Sequence, residues 1–195
     1  MKKIIFTFLF FTSTFLSFGQ EKEVNLIQTD STWGKEVIKL PFWFAPEVNY
    51  VGYEDIRFAK GWENTKSDGF WALTFAWDAN LNTKLTVDFF KNNIKLYFDG
   101  LMKVVNEDKK ITIPKTKVSL SKTNTKNGII KFIGVVETFD AFTTKKMIKL
   151  NTVIESYYCK KSNKYIPLFK LSPKDFSHKI WKELKSIKLQ KNSCN

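Results

Sequence analysis

The sequence predicts an α+β domain: a mainly antiparallel sheet of about six to seven strands with two helices packed on it. Three observations carry this. Short runs alternate apolar and polar residues between clusters of turn residues. Two longer segments repeat their apolar residues every three or four positions. The segments follow one another as three strands, a helix, four strands and a helix, with the close spacing of antiparallel neighbours rather than the long crossovers of βαβ units.

"WGKEVIKLP" reads as a short strand stopped by Pro41, and "FWFAP" after it as a loop. "YEDIRFA" alternates, with Ile56 and Phe58 on one face and Asp55 and Arg57 on the other. "KGWENTKSDG" has the glycine, asparagine, serine and aspartate of a long turn. "FWALTFAW" sets Trp71, Leu73, Phe75 and Trp77 against Ala72, Thr74 and Ala76, a strand with a bulky core face and a small face under a covering element.

The spacing of Phe90, Ile94, Tyr97, Leu101 and Val105 predicts a helix from an N-cap at Thr86 to about Val105, with Asp88 complementing its positive end. Strands follow near "TKVSLSK", "IIKFIGVVETFD", "KMIKLNTVIESYYC" and "KYIPLFKL". "NTKNG" joins the first two, because Asn-Gly tolerates positive φ. The last helix is expected to open at "SPKD", with Ser172 as cap, Pro173 in the first position and Asp175 in the third, and to line one face with Phe176, Ile180, Leu184 and Ile187.

Residues 1–19 read as a signal peptide: the basic "MKK", the apolar "IIFTFLFFTSTFL", then Ser17 and Gly19 as small residues before cleavage. A retained anchor is the alternative, but threonine and serine shorten the apolar run. No cysteine stands there to be lipidated. Residues 20–32 form a charged lead-in, and 33–195 a single α+β domain. No later segment reaches the roughly 18 consecutive apolar residues of a membrane span, so the mature chain is expected to carry no transmembrane segment. The expectation is a protein of the periplasm or the cell exterior.

The net charge of +13 over 195 residues suits nucleic acid, an anionic envelope surface, or plain solubility. Export argues against nucleic acid. Ten lysines between Lys160 and Lys191 face only Asp175 and Glu183. That run reads either as a solvated face or as an electrostatic contact with anionic glycan or lipid headgroups. Nothing in the sequence fixes an oligomeric state. Cys159 and Cys194, an even pair in an oxidising compartment, suggest a disulfide that ties the tail to the sheet, with two free thiols as the alternative.

Several chemistries lack their residues. The single histidine, His178, has no nucleophile motif near it. One histidine and two distant cysteines make no ordinary zinc site. "DANLN" at Asp78 to Asn82 starts like a calcium loop, but Thr83 and Phe89 stand where glycine and glutamate are needed. There is no phosphate loop, and no cofactor is expected.

The informative stretch is 33–77, which holds twelve aromatic residues. Alternation assigns Phe58, Trp71, Phe75 and Trp77 to the core. It leaves Trp43, Tyr50, Tyr53 and Trp62 in loops or at strand ends, where aromatics either plug a sheet or contact a ligand. Arg57 is the only arginine among 32 basic residues. It reads as a planar contact that lysine cannot make, either to Asp55 or Glu54 or within a ligand site beside Trp62. A ligand site, on this reading, sits at the sheet end formed by "FWFAPEVNY" and "KGWENTKSDG". A second reading takes two of Glu54, Asp55, Glu63 and Asp68 as the paired carboxylates of a glycan hydrolase.

The pattern "W.KEVI.LP..FAP...Y.GYEDIRFA.GW....S..FW...FAW", with "LYFDGLM" and "ETFDAF" beyond it, resembles an uncharacterised family of small exported bacterial proteins. The resemblance covers nearly the whole mature chain and implies one compact exported domain, with no activity attached. The leading expectation is a noncatalytic binding domain of the bacterial cell envelope. An envelope-polymer hydrolase and a purely structural exported domain are the alternatives.

Overall fold

The computed structural model describes residues 24–106, 111–123, 125 and 128–194. The expected signal peptide, residues 20–23 of the lead-in, and Asn124, Lys126 and Asn127 of the expected turn lie outside them. In chain order the elements are β1 (Ile27–Gln28), β2 (Gly34–Leu40), β3 (Gly52–Phe58), β4 (Leu73–Ala79), α1 (Val87–Val105), β5 (Lys117–Lys122), β6 (Ile130–Phe139), β7 (Met147–Cys159), β8 (Lys164–Ser172), α2 (Ile180–Ser186) and β9 (Lys188–Leu189).

Seven strands form one antiparallel sheet in the order β2-β3-β4-β8-β7-β6-β5. The first three make a meander; α1 then carries the chain across the sheet to the far edge. From there β5 to β8 run back until β8 pairs with β4 over Leu73–Ala76 and Leu168–Leu171. The expected order of three strands, a helix, four strands and a helix is the one found. The two-residue pair β1–β9 is an addition, too short to leave any period in the sequence.

Each face of the sheet has its own core. Leu73, Phe75 and Trp77 of β4 point toward α1 and pack with Phe90, Ile94, Tyr97, Phe98 and Met102. The intervening Ala72 and Ala76 belong to the opposite core with Trp181 and Leu184 of α2 and Leu26 and Ile27. Small residues on that face of β4 leave room for the indole of Trp181, which is fully buried. Helix α1 starts as expected: the Thr86 Oγ1 accepts from the Phe89 N–H at 3.1 Å.

Helix α2 differs from its expectation. Ser172 does not cap it; it completes β8 opposite Asn151 and is buried. Its hydroxyl accepts from the Lys174 N–H at 3.2 Å, and the Lys174 carbonyl is held by Asn151 Nδ2 at 3.0 Å and Trp181 Nε1 at 2.8 Å. These bonds turn the chain through 173–179, so the helix begins only at Ile180, with no side-chain cap. Cap and strand-end share the same serine chemistry, and the longer-range pairing wins. Ile180, Leu184 and Ile187 are buried as expected, whereas Phe176 precedes the helix and packs against Trp181 with the rings tilted, their centres 4.5 Å apart.

Cys159 at the end of β7 and Cys194 are bonded, with Cα atoms 4.9 Å apart and a sequence separation of 35. Closing a loop of that length in the unfolded chain is worth about 3 to 4 kcal/mol. Reduction is therefore expected to lower the melting temperature by roughly 10 °C. Scanning calorimetry with and without a phosphine reductant reads this directly; coincident melts would remove the bridge from the stability of the fold.

Candidate functional site

Strand β2 is one of the two edge strands of the sheet, and α1 lies across the face next to it. Pairing sets Glu36 opposite Ile56 and Ile38 opposite Glu54, so these four side chains share the α1 face. Between them and the C-terminal half of α1 runs a cleft of about 260 Å³. Ile38, Ile56, Phe58 and Leu73 line it from the sheet, and Tyr97, Phe98, Leu101 and Val105 from the helix. Trp43 and Phe44 come from the loop after β2, Trp62 and Trp71 from the turn after β3, and Phe142 from the turn after β6. Glu36, exposed on the edge strand, is the only charged side chain in the lining.

The lining rings fall into two groups. Phe44 packs edge-on to Tyr97 at 5.3 Å and to Trp43 at 5.7 Å. The loop carrying them presses onto α1 at Gly100, where a Cβ would lie 2.1 Å from the Phe44 carbonyl oxygen. Only glycine lets loop and helix meet that closely. The second group is Phe58, Trp62, Trp71 and Phe142, with ring centres 4.9 to 6.0 Å apart. It is set by the backbone, since the Trp71 N–H donates to the Trp62 carbonyl at 2.9 Å. Trp71 is 1% exposed with a φ of +50°, in the left-handed region that bulky residues avoid, and its indole N–H has no hydrogen-bond partner.

Of the five residues expected to contact a ligand, the cleft unites two. Trp43 stands at its mouth, 72% exposed, and Trp62 is half-buried in its wall. Tyr50 packs on Phe89 at 5.8 Å, away from the lining. Tyr53 and Arg57 alternate with Glu54 and Ile56 and so face the other side of the sheet. The expected location also needs correction. The two loops leave opposite ends of β3, and their tryptophans share one cleft because both loops fold over the α1 face. Alternation assigns Trp71 to the core and helical spacing aligns Tyr97, Leu101 and Val105; Trp71 and Tyr97 are buried, Leu101 and Val105 partly so, and all four also form walls. "ETFDAF" was the only hint of Phe142.

The four carboxylates are dispersed. Glu54 is fully buried on the α1 face and accepts from Trp77 Nε1 at 2.6 Å and from the Tyr97 hydroxyl at 3.0 Å. Burial pushes its carboxyl up to about 8, against the pull of those two bonds, with Glu36 and Asp55 adding to the rise. Asp55, on the opposite face, accepts from the Leu26 N–H at 2.7 Å and the Ile27 N–H at 3.2 Å and is clasped by both terminal nitrogens of Arg57. Arg57 is buried and also donates to Asn25 Oδ1 at 2.9 Å. The planar contact expected of the only arginine is this fork, which anchors the β1 segment to β3. Glu63 is exposed in the turn after β3. Asp68 binds His178 Nε2 at 3.2 Å and Lys179 Nζ at 2.5 Å, and the Lys179 bond draws its carboxyl below the usual range.

A second cavity, about 210 Å³ on the α2 face, holds Lys131, Glu155, Lys170 and Lys185 in its wall. The ammonium of Lys170 is bonded to Glu155 at 2.9 Å, with Lys131 3.5 Å from the same carboxylate. Asp78, first residue of the calcium-like string, is bonded to Lys164. Among the described residues no three histidine, cysteine or acidic side chains gather as a metal site, and no helix is long and apolar enough to cross a membrane. The chain matches no family model, no curated protein and no solved structure.

Proposed function

We propose that this chain is an exported, noncatalytic binding domain of the bacterial cell envelope that takes an apolar ligand group into the cleft between β2, β3 and α1. The observation that carries this is Trp43: a large indole held 72% in solvent at the mouth of an apolar cleft. An exposed tryptophan over a concave apolar wall with few polar groups has the character of a binding site. The leader-like N-terminus and the Cys159–Cys194 bond support export. Glycan hydrolysis is less well served, because Glu54 and Asp55 turn to opposite faces and each is engaged by neutral or basic partners of the fold.

The uncharged dye N-phenyl-1-naphthylamine tests the reading, since its emission rises when it leaves water. It is expected to bind the wild type, and Trp43→Ala to weaken binding about tenfold while costing less than about 1 kcal/mol of stability. Trp77→Ala, in the core, should lose about 3 to 5 kcal/mol. No dye binding, or equal binding by Trp43→Ala, would reject the cleft as a ligand site.

A further inference from the structure

We infer that the cavity on the α2 face is a second binding site, for a phosphate monoester carried on an apolar or aromatic group, with Lys131, Lys170 and Lys185 holding the anion.

The sheet brings the charges together. Lys131 of β6 stands opposite Glu155 of β7, and Lys170 of β8 stands opposite Val153, two residues before Glu155. Their side chains alternate with Phe132, Ile154 and Phe169 of the α1-face core, so they share the α2 face. Lys185 joins the lining from α2. Glu155, the one acid there, is bonded to Lys170 at 2.9 Å, lies 3.5 Å from Lys131 and accepts from the Tyr157 hydroxyl at 3.1 Å. Lys185 has no ion-pair partner among the described residues. Lys170 is the only buried lysine among them, with 2% of its side chain exposed. Its burial, with Lys131 and Lys188 adding like charge, holds its ammonium below the usual lysine range although Glu155 pulls the other way. One carboxylate therefore leaves the cations under-compensated, and an added anion relieves them.

Residue type selects the anion. A carboxylate is planar and is matched best by a guanidinium fork, but the only arginine is committed to Asp55. Lysines are point charges, and these come from three elements, which suits the diverging oxygens of a tetrahedral phosphate. The charges also agree. Three lysines against Glu155 leave an excess of two positive charges in the lining, and a phosphate monoester carries about −1.5 to −2 at pH 7. The rest of the lining is carbon, from Ile133, Val153, Phe176 and Trp181. Phe176 is 36% exposed beside the Trp181 ring, an aromatic wall for the organic part of the ester. The site lies across the sheet from the apolar cleft and does not depend on it.

Isothermal titration of the protein at low ionic strength with phenyl phosphate, benzoate and inorganic phosphate tests the assignment. Phenyl phosphate is expected to bind at least fivefold tighter than either of the others. Lys185→Gln should weaken it at least fivefold, whereas Lys95→Gln, which takes the same charge from α1 across the sheet, should leave it unchanged. Both lysines are exposed, so neither variant is expected to disturb the fold. Phenyl phosphate should not displace the naphthylamine dye. No binding, equal binding by the two variants, or displacement of the dye would overturn the site. Benzoate binding as tightly as phenyl phosphate would overturn the phosphate assignment, and inorganic phosphate binding as tightly would overturn the apolar body. Phosphatidylcholine vesicles with and without phosphatidate then separate two carriers of the same group. Sedimentation with phosphatidate vesicles alone, reversed by phenyl phosphate, assigns the ester to a membrane lipid. Absence of sedimentation while phenyl phosphate still binds assigns it to a soluble molecule.

Discussion

Asp55→Ala is expected to destabilise the protein by about 3 to 5 kcal/mol, the cost of leaving one partner of a buried ion pair without the other. The Asp55 carboxylate meets the guanidinium of Arg57 with both oxygens and also takes the Leu26 and Ile27 amides. Its loss takes the paired carboxylate from a buried cation and leaves two backbone donors unmet in a single step. Because those amides belong to the β1 segment, the β1–β9 pair should loosen as well, visible as faster amide exchange at Gln190, whose N–H donates to the Leu26 carbonyl at 2.7 Å. Arg57→Lys keeps the charge and loses the fork, so about 1 kcal/mol or somewhat more is expected. Urea melts of the two variants check the ranking; an Asp55→Ala melt coincident with wild type would mean that the fork adds nothing to the fold.

Stability is expected to fall as pH rises from about 4.5 to 8, and Glu54→Gln to flatten that fall. Glu54 has a folded-state value near 8 against its ordinary 4.5. Below 4.5 both folded and unfolded chains hold the proton, and the contribution of the group is fully present. Between 4.5 and 8 the unfolded chain releases it while the folded chain keeps it, so each unit of pH removes up to about 1.4 kcal/mol until the buried group ionises. The accumulated loss is several kcal/mol. Glutamine stays neutral, its one carbonyl oxygen can accept from Trp77 Nε1 and its NH2 can donate to the Tyr97 hydroxyl, so the variant should match wild type near pH 5 and exceed it above pH 8. Thermal melts across this range decide the matter: parallel curves for the two proteins would place the pH dependence elsewhere.

What the sequence made legible has a local cause. The helical spacing from Phe90 to Val105, the Thr86 cap and the alternation of Leu73 to Trp77 are each written within one element and each reappears in the structure, whereas Trp71, expected in the same strand, lies in the turn before it. The partner of Arg57 was half-readable: the sequence left it open between Asp55, Glu54 and a ligand, and Asp55, two residues away on the same strand face, is the one that meets it. Ser172 was misread because its decisive neighbour, Asn151, lies a whole hairpin away. The cleft was half-read for the same reason. Loop aromatics flagged Trp43 and Trp62, but that they line one cavity depends on α1 crossing the sheet. Trp71 fitted the core pattern so well that its unmet N–H and its backbone strain had no signal in one dimension.

The place of β8 in the sheet has a consequence for the order in which the chain assembles. β8 is the fourth of seven strands in space, yet it is the last of the seven in sequence. Until residues 164–172 are available, β4 and β7 both present bare edges, and the two meanders are separate ribbons with unfilled hydrogen-bonding rows. A chain made from its N-terminus therefore holds two sticky half-sheets through most of its synthesis and closes them in one late step, by inserting a single strand between them. Truncation just before Lys164 should yield an aggregating species rather than a smaller folded one.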